Sequence, residues 1–292
     1  MSQAHRPLYE QSSQFRNWRF SREKLHEIRK LTNQAGVERA QTNIEAEQVG
    51  YRSNKQVNYL SLDDELALCH FYETKIDTFA RHFKLPNQVK ATAIVYMKRF
   101  FLYNTVMDYS PKSVMLTCLY LASKTENKFI QVEDFAKPIP KTSSQDILTY
   151  EFVVSQSLKF EYTVHHPFSP LYGFYLDAQI LNDNISLLTQ VYSKAMDYCN
   201  TSLYTDLTFI YFPGQIALAC LKLAAQDLNW NFAGYLHQKY SDEATRLALE
   251  AIVDDIIATI KARKPVSTDI VREVDRRLIY CRNPEKDPSS LL

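Results

Sequence analysis

Glycine is scarce in this chain: 5 of 292 residues, with no two of them in a G-x-G spacing. Loops that bring backbone up to a phosphate depend on glycine, so a Rossmann dinucleotide site and a P-loop are excluded. Cysteine is sparse too. Cys69, Cys118, Cys199, Cys220 and Cys281 are odd in number and include no C-x-x-C pair. Each sits among apolar residues at helical spacing and reads as a small buried hydrophobe, as suits the reducing cytosol or nucleus. Long apolar runs are missing. The longest, Ile216 to Leu221, has six residues, far short of the ~20 that a membrane span needs. The first residues, Met1-Ser2-Gln3-Ala4-His5-Arg6-Pro7, lack the apolar core of a signal peptide. Charge of one sign is missing as well. Lys plus Arg number 34 and Asp plus Glu 33, a net charge of +1, so no global field draws the chain onto nucleic acid or an anionic membrane. No H-E-x-x-H, G-x-S-x-G or paired Cys/His spacing occurs. The sequence therefore names no catalytic, cofactor-binding or metal-ligating residue.

What the chain does contain is helical periodicity. Prolines and capping residues separate amphipathic segments, and strand alternation is hard to find, so the fold is read as all-α. Ser61 with Asp64, ahead of Leu66, Leu68, Phe71 and Tyr72, predicts a capping box opening a helix that runs to about Phe83. A second helix is expected over Asn87–Tyr103. The third segment, Pro111 to Ser123, is apolar around nearly its whole circumference and must be a central hub wrapped by others. Its pattern returns 102 residues later, from Pro213 to Ala225, with Pro111/Pro213, Leu116/Leu218, Cys118/Cys220, Leu119/Leu221, Leu121/Leu223 and Ala122/Ala224 identical. Each copy has a long helical segment before it (Asn87–Tyr103; Ile185–Leu203) and another after it (Ser144–Leu158; Asp242–Lys261). This is an internal repeat of about 100 residues. The expected organisation is an N-terminal extension over 1–57, a first repeat over 58–163, a second over 164–264, and a C-terminal helix and tail over 265–292. Two short helices outside the repeats, Ser21 to Asn33 and Thr268 to Cys281, cannot hold alone and must dock on something. The expected cost of removing them falls on function more than on folding.

Few charged residues invite a chemical role. His165-His166 precedes Pro167 at the join between repeats and reads as structural. Asp63-Asp64-Glu65 suits a helix N-terminus and Asp254-Asp255 a solvated helix face. Glu151 is different. At 100° per residue it falls about 40° from Ile147, inside the arc of Ile147, Leu148, Val154, Ser155 and Leu158. A carboxylate there is costly unless something pairs with it. An intramolecular lysine or tyrosine and an external partner both satisfy that need. Lys124, ending the hub, suits a helix C-terminus.

The stretch Ala91-Thr92-Ala93-Ile94-Val95-Tyr96-Met97-Lys98-Arg99-Phe100-Phe101, then Leu116 to Lys124, then Tyr150-Glu151-Phe152, resembles a cyclin box. The doubled hub is similar to the tandem five-helix repeats of cyclins. Ser12-Ser13-Gln14 with Trp18, Asn104 to Tyr109, His165-His166-Pro167-Phe168, Tyr211 to Leu218 and Arg276 to Cys281 bring it nearest to the cyclin H branch. The resemblance implies tandem cyclin folds with extra terminal helices, and a regulatory subunit rather than an enzyme. In the family the box holds the αC helix of a cyclin-dependent kinase inward, so that the kinase lysine–glutamate ion pair forms. The lysine and glutamate that reach the kinase there correspond to Lys124 and Glu151, and family contacts map onto Leu121, Thr125, Phe160 and Tyr162. Gln226 stands at the place of Lys124 in the second repeat, so only the first repeat is expected to grip the kinase.

The resemblance further implies a CDK-activating kinase partner within TFIIH, acting on other cyclin-dependent kinases and on the RNA polymerase II C-terminal domain. It also implies a RING-domain assembly subunit and a nuclear location. No cofactor, direct nucleic-acid contact or membrane contact is expected. The substrate-docking motif of mitotic cyclins is replaced by Asp64-Glu65-Leu66-Ala67-Leu68, and Lys30 occupies the asparagine position of a destruction box that would begin at Arg22. A constant-level cyclin is thus expected. Two alternatives stay open: another transcriptional cyclin of the cyclin C kind, and a tandem nucleic-acid-binding factor like TFIIB. The second should carry a basic face and a zinc ribbon, and neither is visible.

Overall fold

The computed structural model describes residues 7–48, 57–181 and 184–286. Among them the regular elements are helices: α1 (Ser13–Asn17), α2 (Arg22–Gln48), α3 (Leu62–His82), α4 (Asn87–Tyr103), α5 (Pro111–Thr125), α6 (Val132–Ala136), α7 (Ser144–Ser157), α8 (Phe168–Leu181), α9 (Ile185–Ser202), α10 (Leu207–Ile210), α11 (Pro213–Asp227), α12 (Phe232–Lys239), α13 (Glu243–Ala262) and α14 (Thr268–Cys281). The all-α expectation holds. The chain forms two compact units. One comprises Phe20–Thr163 with the C-terminal stretch from Pro265, the other Val164–Lys264 with the N-terminal stretch ending at Arg19. The stretch 1–57, read from sequence as one extension, is therefore shared between units.

In the first-repeat unit α5 is the hub, packed by α3, α4 and α7. Its residues from Val114 to Ser123 are all buried. In the other unit α11 holds the same place, packed by α8, α9 and α13. Capping explains where these helices begin. Ser110 accepts the Ser113 N–H, with Pro111 at the first helical position, and Ser61/Asp64 and Ser143/Asp146 form reciprocal capping boxes. Their ends show how a glycine-poor chain stops a helix. The left-handed residue that is usually glycine is Lys84, Asn127, Lys159 or Asn229, with φ between 52° and 56°. Each is followed by the expected return bond, Leu85 N–H to Ala80 (2.8 Å), Lys128 to Ser123 (2.7 Å), Phe160 to Ser155 (2.9 Å) and Trp230 to Ala225 (2.9 Å). Asn127 and Asn229 lie 102 positions apart, so the repeat extends to the backbone geometry that ends each hub.

Both appendage helices dock on the first repeat. The α14 residues Val271, Val274, Leu278 and Cys281 share a core with Leu60, Leu68, Cys69, Val106 and Met107, and α2 buries Leu25, Ala40 and Ile44. Buried carboxylates tie these helices in. Asp108 pairs with Arg39 at 2.5 Å and accepts from the Asn283 amide at 2.8 Å. Glu65 accepts from the Thr105 hydroxyl (2.6 Å) and the Asn33 amide (2.9 Å). Burial pushes the Glu65 carboxyl up, and these donors pull it back only in part. Removing α2, or α14 with the segment after it, takes a partner from a buried acid and strips apolar cover, so a cost to folding is expected as well as one to function. The expectation from sequence put the cost on function more than on folding without these contacts, because side-chain partners so distant along the chain have no periodic signature. All five cysteines are free and buried, as expected.

Two outcomes test this packing. A Cβ added at Gly36 of α2 would lie 2.5 Å from the Thr105 methyl. Gly36→Ala should therefore lower the melting temperature even though alanine gains up to ~1 kcal/mol of helix propensity; a raised melting temperature would reject the close approach. Burial pushes the Asp64 carboxyl up, but bonds from Ser61 and Arg277 outweigh it and hold the group below the ordinary carboxylate range. A carboxyl with a depressed folded-state pKa adds stability above its unfolded value and loses it as pH falls through the folded one. Asp64→Ala should thus cost about 1 kcal/mol near neutral pH, and melts should show the difference shrinking below about pH 4. A difference constant down to pH 3 would contradict this.

Candidate functional site

Five of the family-implied residues gather where the C-terminal end of α5 meets α7 and the segment after it. Lys124 lies in the last turn of α5, where a cation suits the helix dipole. Its Nζ bonds Glu151 Oε1 of α7 and sits 4.8 Å over the Tyr120 ring. The side chains of this pair are 28% and 25% exposed, neither enclosed nor free. So the partner that Glu151 required is Lys124. The apolar arc of α7 is narrower than the sequence suggests, for Ile147, Val154 and Leu158 are buried whereas Leu148 is 40% exposed. Glu151 falls between buried Leu158 and buried Ser155 yet keeps a quarter of its side chain exposed, so a salt bridge can form without full desolvation.

The segment 159–163 is held from below. Buried Tyr96 of α4 donates its hydroxyl to the Tyr162 carbonyl (2.6 Å) and meets the Thr125 hydroxyl at 3.0 Å. Burial pushes the Tyr96 phenol far up, so it stays a donor. The buried Arg99 guanidinium donates to the Glu161 carbonyl at 3.1 Å. Lys159 and Phe160 are both left-handed, the latter at φ 57°, a conformation that costs a residue with a Cβ roughly 1–2 kcal/mol. That backbone turns the Phe160 ring outward, 55% exposed, and edge-on to Tyr162 at 6.5 Å and to Phe152 at 6.2 Å. Phe152 is itself 66% exposed. The surface is thus a salt bridge set in an aromatic, largely uncharged border.

Lys124, Glu151, Thr125, Phe160 and Tyr162 come together. Leu121 does not join them at the surface. It is 4% exposed, because the hub is enclosed on that side too, and it forms part of the floor. Sequence reasoning missed Tyr96, Arg99 and Tyr120 as the supports; polar heads on otherwise inward-facing positions of α4 and α5 were the available signal. It also missed the buried Lys98–Glu73 pair at 2.9 Å. Gln226 is exposed at the corresponding end of α11. The other charged candidates are absorbed locally. Asp254 pairs with Lys222 at 2.6 Å, the Tyr211 hydroxyl donates to Asp255, and the His165 N–H donates to Gln14 Oε1 at 2.7 Å. Among the described residues no three His, Cys, Asp or Glu side chains could share a metal ion, and no helix is long and apolar enough to cross a membrane.

Comparison with known proteins gives this geometry a family. The model of the cyclin N-terminal domain matches residues 56–163 and that of the cyclin C-terminal domain matches residues 166–266. A putative cyclin-H of Dictyostelium discoideum is 38% identical over 234 residues, covering 76% of each chain. Cyclin CCL1 of Saccharomyces cerevisiae is 36% identical over 80% of this chain, which spans 61% of that protein's length. Among solved structures, the CAK complex of Chaetomium thermophilum bound to ATP-gamma-S contains a chain that matches with a TM-score of 0.86 and 27% identity, over 95% of this chain and 90% of that one. The yeast TFIIK (Kin28/Ccl1/Tfb3) complex contains one with a TM-score of 0.70 and 32% identity, over 86% and 100%. The tandem helical fold and the matched domains define a cyclin. The chain belongs to the cyclin family, in its cyclin H branch.

An ion pair this exposed contributes little to the fold, about 0–1 kcal/mol. Lys124→Glu and Glu151→Lys should each leave the circular dichroism spectrum unchanged and move the melting temperature by only a few degrees. Loss of cooperative unfolding in either variant would show that the pair is structural.

Proposed function

We propose that this chain is the non-catalytic regulatory subunit of a cyclin-dependent kinase of the CDK-activating type, and that it grips the kinase small lobe through Lys124, Glu151, Thr125, Phe160 and Tyr162, with Leu121 beneath them. The observation that carries this reading is the Lys124–Glu151 pair on the surface of the first repeat. A lysine and a carboxylate already brought together, in a border of exposed aromatic rings, can exchange their mutual bond for bonds to backbone groups of a docking helix. Little reorganisation is needed, because Tyr96, Arg99 and Tyr120 already fix the surroundings. Held by such a wall, the kinase αC helix stays inward and its glutamate meets the lysine that clamps ATP. The chain's part is positional: it supplies a rigid surface, and the chemistry belongs to the kinase.

The same reading extends to the assembly. The matched chains belong to a CAK complex and to TFIIK, a complex of three components. We infer a third, assembly subunit with a RING domain, membership of TFIIH and work in the nucleus. The targets are other cyclin-dependent kinases and the RNA polymerase II C-terminal domain.

The test is affinity for the kinase that co-purifies with the full chain. Losing one partner of a desolvated interfacial charge contact costs about 2–5 kcal/mol, so Lys124→Glu and Glu151→Lys should each weaken binding roughly thirty-fold or more. The double variant K124E/E151K restores the pair in reverse and should fold normally, yet still bind poorly, since each partner group then meets the wrong charge. Wild-type affinity in the folded double variant would reject the site.

A further inference from the structure

We infer that the cavity between α2, α3 and α4 is a binding site for one internal water molecule, which completes the hydrogen bonding of the buried Lys98–Glu73 pair where α2 meets the first repeat. The site is independent of the kinase-binding surface.

The ion pair sets the demand. Lys98 belongs to α4 and Glu73 to α3, and their side chains are 1% and 3% exposed. Nζ and Oε2 stand 2.9 Å apart, yet the contact lacks the directed geometry of a hydrogen bond, and neither atom reaches bulk solvent. An ammonium carries three N–H donors. A buried pair recovers its desolvation cost only when further hydrogen bonds satisfy the remaining donors and lone pairs. Among the described residues no group supplies one to Lys98 Nζ or Glu73 Oε2.

The cavity meets that demand. Its volume is about 20 Å³, and Lys98, Glu73 and Glu65 line it together with Arg29 and Thr32 of α2. A buried water needs roughly 10–15 Å³ and two to four polar neighbours, so the space fits one molecule with donors and acceptors around it. Charge decides against an ion. Arg29 and Lys98 are set against Glu65 and Glu73, two cations against two acids, so an ion of either sign meets its own charge as well as the opposite one. A neutral molecule that both donates and accepts suits all four: it accepts from the lysine and donates to a carboxylate.

The walls also say which element closes the site. Arg29 and Thr32 supply one side of it, so the site is complete only with α2 docked. Thr32 donates its hydroxyl to the Leu102 carbonyl at 3.0 Å, and Asn33, the next residue, donates to Glu65 at 2.9 Å. The turn of α2 that satisfies one buried acid therefore roofs the water that serves the other.

Two measurements on the full chain test the site. A crystal structure fine enough to show ordered solvent should place one water about 2.7–3.2 Å from Lys98 Nζ and within hydrogen-bond reach of Glu73 or Glu65. A dry cavity, or a bound ion in it, overturns the inference. Nuclear relaxation dispersion of water oxygen counts the molecules held in the interior, and the double variant Lys98→Met with Glu73→Gln should hold one fewer than the wild type. The two substitutions are made together because either alone strands the other charge. An equal count in a double variant that melts cooperatively overturns the inference. Should that variant fail to fold, the wild-type crystal decides by itself, since water at Lys98 supports the site and its lack of any there rejects it.

Discussion

The constraint from which the rest follows is that a helix apolar on every side cannot face water. Val114 to Ser123 of α5 present no polar stripe that would let one side stay open, so the surrounding helices must close over it completely. Enclosure fixes more than the core. It brings the end of α5 against α7, because Thr117 donates its buried hydroxyl to the Ile147 carbonyl at 3.1 Å. It brings α4 against both through Tyr96 and Arg99. Once those contacts are set, Lys124 leaves the hub where the enclosure ends and Glu151 is the carboxylate within reach. The site is where the wrapping of one helix runs out.

The charged groups of the first-repeat unit fall into two kinds, and burial decides which is which. The Asp108 carboxylate, with Arg39 and Asn283, and the Glu65 carboxylate, with Thr105 and Asn33, lie inside and are bonded on more than one side, and Lys98 pairs with Glu73 in the interior. To break any of them is to leave an uncompensated polar group in the interior. Lys124–Glu151 is only partly covered. Its bond is exchangeable, since the ions it holds still see water and a new partner can replace each without stranding the other. That contrast fits the recognition role proposed for the outer pair, while Glu65 and Asp108 help to hold α2 and the C-terminal segment in place.

Much of this was legible in the residues. The capping box at Ser61, the two hubs and their offset were read directly, because each is a local or periodic pattern. The repeat runs further than its identities suggested, down to Asn127 and Asn229 ending the hubs in matching left-handed geometry. Other features were not legible. Arg39 meets Asp108 and Asn43 meets Asn283 across great lengths of chain, and no spacing announces such pairs. Leu121 was placed among the surface contacts because its position matched a family motif, whereas packing put it underneath. Phe152 was read only as part of the family motif and not as an exposed ring, since an aromatic residue on a half-buried helix is most often turned inward.

By itself, the sequence determined that the protein is helical, that it is built twice on one plan, and that its scarcity of glycine forbids phosphate loops and makes lysine and asparagine end its helices. These are consequences of propensity and periodicity, which act over a few turns. Only the tertiary structure decided that Lys124 is the partner of Glu151, that Tyr96 and Arg99 brace the segment carrying Phe160, and that the terminal helices complete the first repeat. Those outcomes depend on which side chains meet after the hub is enclosed, and water exclusion, acting on the whole surface at once, leaves no record of that in any single stretch of chain.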